Sequence, residues 1–328
     1  MTLLIGDIPV DPAVILAPMA GITDAPMRKI VAQFGAGLVV SEMVASQEMV
    51  QDKRAMREKA IICDGPVPTS VQIAGRISHW MQRAAEIATD QGADLIDINM
   101  GCPAKKVTTG YSGSALMRDP DHALTLIEAV VAGTDRPVTL KMRLGWDRDC
   151  LNAPDIARRA QDAGVQMITI HGRTRNQFYK GQADWQAIAA VVQAVHIPVI
   201  ANGDIVDSPS ARAALAASGA AGVMVGRGAQ GAPWVIAQLA HDLHGTPAPD
   251  IPTGAALARL VSNHYDAMLS FYGADLGLRV ARKHLGWYMD RTGAPPDLRK
   301  QMLTAKTPAD VFSLIPDAMA PHDTTVAA

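Results

Sequence analysis

Cys102 stands in the stretch INMGCPAKK (98–106), where an apolar run ends between Gly101 and Pro103. Glycine and proline interrupt a strand, so this cysteine belongs on the loop at the strand's tip rather than inside the packing. A thiol so placed can serve as a nucleophile or as a proton donor. No histidine or aspartate lies at a spacing that suggests an acyl-transfer arrangement, and proton donation is at least as good a use. Asn99, Lys105 and Lys106 share the same turn. Cys63 and Cys150 lack such a setting and read as packing residues.

Other reactive side chains end apolar runs in the same manner. Pro18 ends AVILAP (13–18), and Met19 and Ala20 follow it. Gln72 lies in TSVQIAG (69–75), and Lys141 and Arg143 close PVTLKMR (137–143). His171 and Arg173 close MITIHGR (167–173). Asn202, Gly203 and Asp204 close IPVIANGD (197–204), and Gly226 and Arg227 close AGVMVGR (221–227). A polar set at equivalent strand ends implies a polar ligand. Lys141 must face an opening, because an unpaired ammonium is costly to bury. There it would neutralise an anion or form a Schiff base. His171 suits a hydrogen bond to an anion or a ring carbonyl. ANGDI and VGRGAQG suit a phosphate: glycines admit close backbone approach, and Arg227 can pair with the dianion.

These ends need a scaffold that gathers them. With LVVSE (38–42) and DLIDINMG (94–101) there are eight short apolar runs, alternating with helical patterns such as SHWMQRAAEIATDQG (78–92) and APDIARRAQDAG (153–164). Near-continuous apolar runs fit parallel strands covered on both faces. Eight strand–helix units predict an α/β fold, a (β/α)8 TIM barrel, whose site lies at the C-terminal ends of its strands. An open doubly wound sheet would normally carry G-x-G-x-x-G after its first strand, and PMAGITDAPMRK has no such turn. Beyond a Pro/Gly/Thr-rich linker the texture is helical, with two long helices and a shorter one around TPADVFSLI. The expected organisation is a barrel over 1–245, a linker at 246–254, a small all-helical domain at 255–318 and a tail at 319–328.

Of the 328 residues 48% are hydrophobic and 19% charged, enough for a sizeable core. The net charge of −2 means that a nucleic acid would have to be met by a local patch. One such patch is RVARKHLGWYMDRTGAPPDLRK (279–300), with Arg282, Lys283 and His284 among aromatics. Together with Lys105 and with Arg173 in HGRTRNQFYKG (171–181), it favours an anionic macromolecule such as RNA. Three scattered cysteines without C-x-x-C argue against disulfides and a metal site, and for a reducing cytoplasm. The N-terminal residues lack a signal-peptide pattern, and no apolar stretch is long enough to span a membrane. No exposed apolar stripe stands out, so a monomer is expected.

Together, APMAGITDAPMR, SEM, VQIAG, DINMGCPAKKV, GSALM, LKMRLGWD, IHGRTR, VIANGDI, VGRGAQGAPW and RKHLGWY resemble the tRNA-dihydrouridine synthases from about residue 5 to residue 315. NMGCPAKKV and AQGAPW are most similar to the bacterial B-type branch. The resemblance implies FMN over the barrel mouth, with NADPH (or NADH) as reductant and tRNA as substrate. Pro18, Met19 and Ala20 would lie along the isoalloxazine, and Gln72 and Lys141 at its polar edge. Asn202, Gly203, Asp204, Gly226 and Arg227 would hold the ribityl and phosphate, with His171 close by. Cys102 would be the acid that protonates C5 of a D-loop uridine, and Asn99 would contact the uracil. Arg282, Lys283 and His284 would grip the tRNA. Two alternatives compete within the same residues: an FMN barrel dehydrogenase acting on a free pyrimidine, and a non-enzymatic RNA-binding protein.

Overall fold

A computed structural model describes residues 2–63 and 65–322. All eight apolar runs are strands: β1 (Val14–Leu16), β2 (Leu38–Val40), β3 (Thr69–Ala74), β4 (Leu95–Met100), β5 (Val138–Arg143), β6 (Met167–His171), β7 (Val199–Asn202) and β8 (Gly222–Val225). Each pairs in parallel with the next. β8 returns to β1 through Val223 opposite Val14, which closes the barrel. Helices cover the outside. The pattern at 78–92 becomes helix Ser78–Asp90, which buries Met81, Ala84, Ala85 and Ala88 at helical spacing. The pattern at 153–164 becomes Ala153–Asp162, which buries Ala153, Ile156, Ala157 and Ala160.

The barrel interior is apolar at one end. An antiparallel hairpin, Leu3–Ile5 with Ile8–Val10, supplies Leu3, Ile5 and Val10 to a cluster with Ile15, Leu38, Val40, Leu95, Met167, Ile200 and Met224. This floor excludes water from the N-terminal end of the strands. Polar side chains therefore have only the opposite end in which to meet a ligand.

A second compact unit comprises Ala229–Trp234 and, among the described residues, 248–322. Its helices are Gly254–Tyr272, Ala274–Thr292, Pro296–Thr304 and Pro308–Ala318. The sequence patterns foresaw three of these. The third was missed because its basic run resembles an extension of its neighbour, whereas Pro295–Pro296 restart the chain with proline at a first-turn position, where its missing N–H costs nothing. Ala229–Trp234 was also expected with the barrel. Gly231, at φ 66°, brings this segment so close to Trp287 that a Cβ would lie 2.4 Å from its carbonyl oxygen. Of the expected tail, residues 323–328 lie outside the described residues. No helix among the described residues is long and apolar enough to cross a membrane.

Leu95 is completely buried in the floor. Leu95→Ala is expected to lower unfolding free energy by about 2–5 kcal/mol, read as a lower urea midpoint with an unchanged slope.

Candidate functional site

Strand register places the inward-facing polar residues in successive rows above the floor. Gln72, Asp97 and Thr139 are neighbours across β3, β4 and β5. Asn99, Lys141 and Thr169 form the next row, and Arg143, His171 and Asn202 the row at the mouth. Side chains alternate across a strand, so Asp97 and Asn99 face the same interior, as do Thr139, Lys141 and Arg143.

A hydrogen-bond relay runs through the first two rows to the reactive loop. Thr139 Oγ1 donates to Asp97 Oδ1 at 2.6 Å, and Gln72 Nε2 donates to Asp97 Oδ2 at 2.6 Å. Gln72 thus turns its amide nitrogen toward Asp97. Its Oε1 then accepts from Asn99 Nδ2 at 2.7 Å. Asn99 in turn presents Oδ1 to the backbone N–H groups of Gly101 (3.2 Å) and Cys102 (3.0 Å). From the other side, Ser114 donates its N–H (3.1 Å) and Oγ (2.9 Å) to the Cys102 carbonyl. Cys102 is partly exposed and free of any disulfide. Asp97 was not singled out in the sequence, although a carboxylate within an otherwise apolar strand was a visible signal. Burial pushes its pKa up, against the Thr139 and Gln72 hydrogen bonds and the Lys141 charge.

Lys141 donates Nζ to Asn202 Oδ1 at 3.0 Å, and Asn202 donates Nδ2 to the Met224 carbonyl at 2.8 Å. Burial lowers the Lys141 pKa to about 8, with help from the Arg143 charge and against Asp97 and Cys102. It is thus mostly an ammonium at neutral pH. His171 is held well below its ordinary value by burial and by the charges of Arg143, Lys141, Arg173 and Arg227, and is neutral. Its Nε2 lies 3.3 Å from Arg173 Nη1. A guanidinium can only donate, so Nε2 accepts and Nδ1 carries the proton.

Arg143 is buried and bridges two loops. It donates to the Gly101 carbonyl on the cysteine loop, and to the Thr174 and Phe178 carbonyls after β6. Its role at the strand tip was left open by the sequence. At the mouth's start, Met19 N–H is held by Thr23 Oγ1, and Glu42 accepts from Gly21 N–H, fixing the Pro18–Met19–Ala20 turn.

The ends of β7 and β8 form a separate charged corner. Arg173 pairs bidentately with Asp204 through Nη1 (2.9 Å) and Nη2 (2.6 Å), while Arg227 reaches Asp204 Oδ1 at 3.1 Å. Burial pulls the Asp204 pKa up. Hydrogen bonds from Arg173 and the Ala183 N–H, with the Arg173 and Arg227 charges, outweigh it, and the net is depressed. Gly203, at φ 115°, must be glycine here: a Cβ would sit 2.8 Å from the His171 ring. The N–H groups of Gly203, Asp204 and Gly226 meet no backbone acceptor among the described residues. Beyond Gly226 is the short 3₁₀ turn Arg227–Ala229.

Two expectations are corrected by burial. Arg173 was expected to touch substrate, but it is 1% exposed and committed to Asp204, Lys180 O and Gly181 O. His284 was expected to reach an RNA, but it is 3% exposed within the helical unit, its ring 5.0 Å from that of His264 and 5.2 Å from that of Trp287. Gln72 and Asn99 are also buried, with amide groups engaged in the relay. Lys105 is exposed on the turn Lys105–Thr108. In the helical unit Lys283 is partly exposed, and Arg282 approaches the Ala305 carbonyl at 3.4 Å.

The family model described as dihydrouridine synthase matches residues 15–320. A probable tRNA-dihydrouridine synthase of Rhodobacter capsulatus is 62% identical over 324 residues, covering 98% of this chain and 99% of that protein. A tRNA-dihydrouridine synthase B of Xanthomonas campestris is 45% identical over 313 residues, with 95% and 94% covered. Among solved structures, an N189A variant of morphinone reductase in complex with tetrahydroNAD has a similar fold. Its TM-score is 0.53 at 14% identity, over 78% of this chain and 93% of that one.

The depressed Asp204 pKa means that its ionised form stabilises the fold above the ordinary carboxylate range, and that this contribution fades as pH falls through the lower folded value. Asp204→Asn leaves buried Arg173 without its counter-charge and is expected to cost about 3 kcal/mol at pH 7. Urea unfolding of both proteins should show the gap narrowing below about pH 4.

Proposed function

The chain belongs to the dihydrouridine synthase family, and from that premise we propose that it reduces a D-loop uridine of tRNA to 5,6-dihydrouridine over FMN held at the barrel mouth. The observation that carries the mechanism is the placement of Cys102, partly exposed and fixed by Asn99 and Ser114 beside the Lys141 and Arg143 cations.

The residues at the mouth fit a flavin mononucleotide. Its phosphate needs donors, and the N–H groups of Gly203, Asp204 and Gly226, which meet no backbone acceptor among the described residues, lie with Arg227 at the ends of β7 and β8. Gly226 leaves open the space where a side chain would meet Met19 Sδ, at 3.6 Å from an added Cβ. Pro18, Met19 and Ala20 would line the ring, and Asn202 the ribityl chain. A bound reduced flavin supplies the hydride for C6 of the uracil, and NADPH (or NADH) serves as its reductant.

The chain's own groups do the rest. Cys102 donates a proton to C5, as reduction of the C5–C6 bond requires. Lys141, an ammonium at neutral pH, balances negative charge at the ring's polar edge. Neutral His171 offers Nδ1–H, because its Nε2 is engaged with Arg173. Gln72 and Asn99 act chiefly by orienting the cysteine loop, with one amide N–H of Asn99 left for the base. Lys105 on the barrel and Arg282 and Lys283 on the helical unit take phosphates of the tRNA, while His284 supports the helix that carries them. The chain works as a cytoplasmic monomer.

Cys102→Ala is expected to slow dihydrouridine formation by at least about 10²-fold, the scale of general-acid catalysis, while NADPH still bleaches the bound flavin. Nucleoside analysis of tRNA and stopped-flow absorbance read the two. Wild-type turnover on free uracil but not on tRNA would instead favour the free-pyrimidine dehydrogenase. Full activity of Cys102→Ala would remove the cysteine from the mechanism.

A further inference from the structure

Beside the mouth, the barrel unit carries arginines stacked on aromatic rings that the reduction itself does not use. Trp146, on the loop after β5, holds two guanidiniums: Arg118 Cζ lies 4.9 Å from its ring centroid and Arg175 Cζ 4.6 Å. Arg175 also lies 4.9 Å from the Phe178 ring and donates Nη2 to Thr108 Oγ1 at 3.3 Å. Arg118 ends the 3₁₀ helix Gly113–Arg118, whose Ser114 grips the Cys102 carbonyl. One indole thus joins the loops after β4, β5 and β6, close to the reactive cysteine.

The charges here are unspent. Lys105, Lys106, Arg118, Arg175 and Lys180 take part in no ion pair among the described residues. The nearby carboxylates Asp147 and Asp119 are turned to backbone N–H groups, those of Asp149 and His122, and form no ion pair with these cations. Such a concentration of free cations departs from a chain whose net charge is −2. Stacking fixes a guanidinium's plane and leaves its N–H edge to meet a phosphate. The Arg118 guanidinium has no hydrogen bond among the described residues, and that of Arg175 makes only long ones, to Asn176 Oδ1 (3.2 Å) and Thr108 Oγ1 (3.3 Å), which a phosphate can replace. Two exposed aromatics on the same loops, Tyr111 and Phe178, are held at φ 55° and 52°. Bulky residues rarely adopt this region, and such conformations gather at ligand-contacting positions. Tyr179, more than half exposed, stands next to Phe178.

We propose that this rim is the docking track for the single-stranded RNA segment that leads into the mouth. Its phosphates lie on Arg118, Arg175 and Lys105, and its bases against the exposed aromatic tips. The inference deepens the tRNA reading and rests on it for the identity of the strand. The regular phosphates of a polynucleotide match spaced, pre-oriented guanidiniums better than an acidic protein segment does.

The test is fluorescence anisotropy of a labelled, unstructured oligoribonucleotide over a KCl series, with dihydrouridine formation on tRNA measured in parallel. The Arg118→Gln/Arg175→Gln double variant should bind at least about 10-fold more weakly. Its log Kd against log salt slope should fall by about 1.4, at about 0.7 per lost phosphate contact on a single strand. Trp146→Leu should weaken binding similarly and Trp146→Phe much less. Arg136→Gln removes one exposed charge before β5, at the opposite end of the strand, and should change neither quantity. Wild-type affinity and slope in the double variant would overturn the proposal. So would equal binding of a poly-glutamate peptide with equal loss in the variants. If wild type makes no dihydrouridine yet binding depends on the rim, the tRNA-reduction reading fails and the track stands. If dihydrouridine forms and binding ignores the rim, the track fails and the enzymatic reading stands.

Discussion

A buried carboxylate, Asp97, sets the direction of the polar interior. Both its oxygens accept short hydrogen bonds, one from Thr139 and one from Gln72. The Gln72 amide therefore has one orientation, and so does that of Asn99. The backbone N–H groups of Gly101 and Cys102 meet an oxygen rather than another donor. Burial raises the Asp97 pKa, and the Thr139 and Gln72 donors and the Lys141 charge oppose that rise. With them it converts the rigidity of three adjacent strands into the position of a loop. Loops are ordinarily the mobile parts of a barrel, and a proton donor needs a defined place relative to its acceptor.

Around this relay the mouth is cationic. Lys141, Arg143, Arg173 and Arg227 all depress the His171 pKa or one another's, and Asp97 and Asp204 are the carboxylates that oppose them. The balance is divided in space. Asp204 is taken up by Arg173 and Arg227, so the corner that suits a phosphate is already ordered. Lys141 stays mostly an ammonium, and neutral His171 adds nothing to the repulsion. A site arranged in this way favours an anionic cofactor and a developing negative charge on the substrate, in keeping with reduction of a conjugated carbonyl system.

Much of this was legible in the residues. Each barrel strand is covered on both faces, so it appears as a short apolar run whose last polar residue faces the mouth. That is why Lys141, His171, Asn202 and Cys102 could be gathered before any geometry was known. Partners distant in sequence were not legible. Arg173 shows its charge in the sequence but not that Asp204, 31 positions on, consumes it. His284 sits in a basic run, yet helical spacing turns it toward His264 and Trp287 and into the core. Asp97 was visible as a charge inside a strand, but its meaning lies in Thr139, 42 positions away on the neighbouring strand. The segment Ala229–Trp234 follows a barrel strand in sequence and belongs with the helices through Gly231 and Trp287, which local pattern does not encode.

Amide hydrogen exchange at Gly101 and Cys102 in Gln72→Met tests the relay most directly. Methionine fills the space of glutamine without its amide, so Asn99 loses the partner that orients it. Exchange at both amides should then rise about tenfold, the equivalent of one hydrogen bond, while the floor strands stay protected. Exchange at Gly101 and Cys102 identical to that of the unaltered protein would show that the cysteine loop holds its place without Asp97 and Gln72, and the relay would have no part in positioning the thiol.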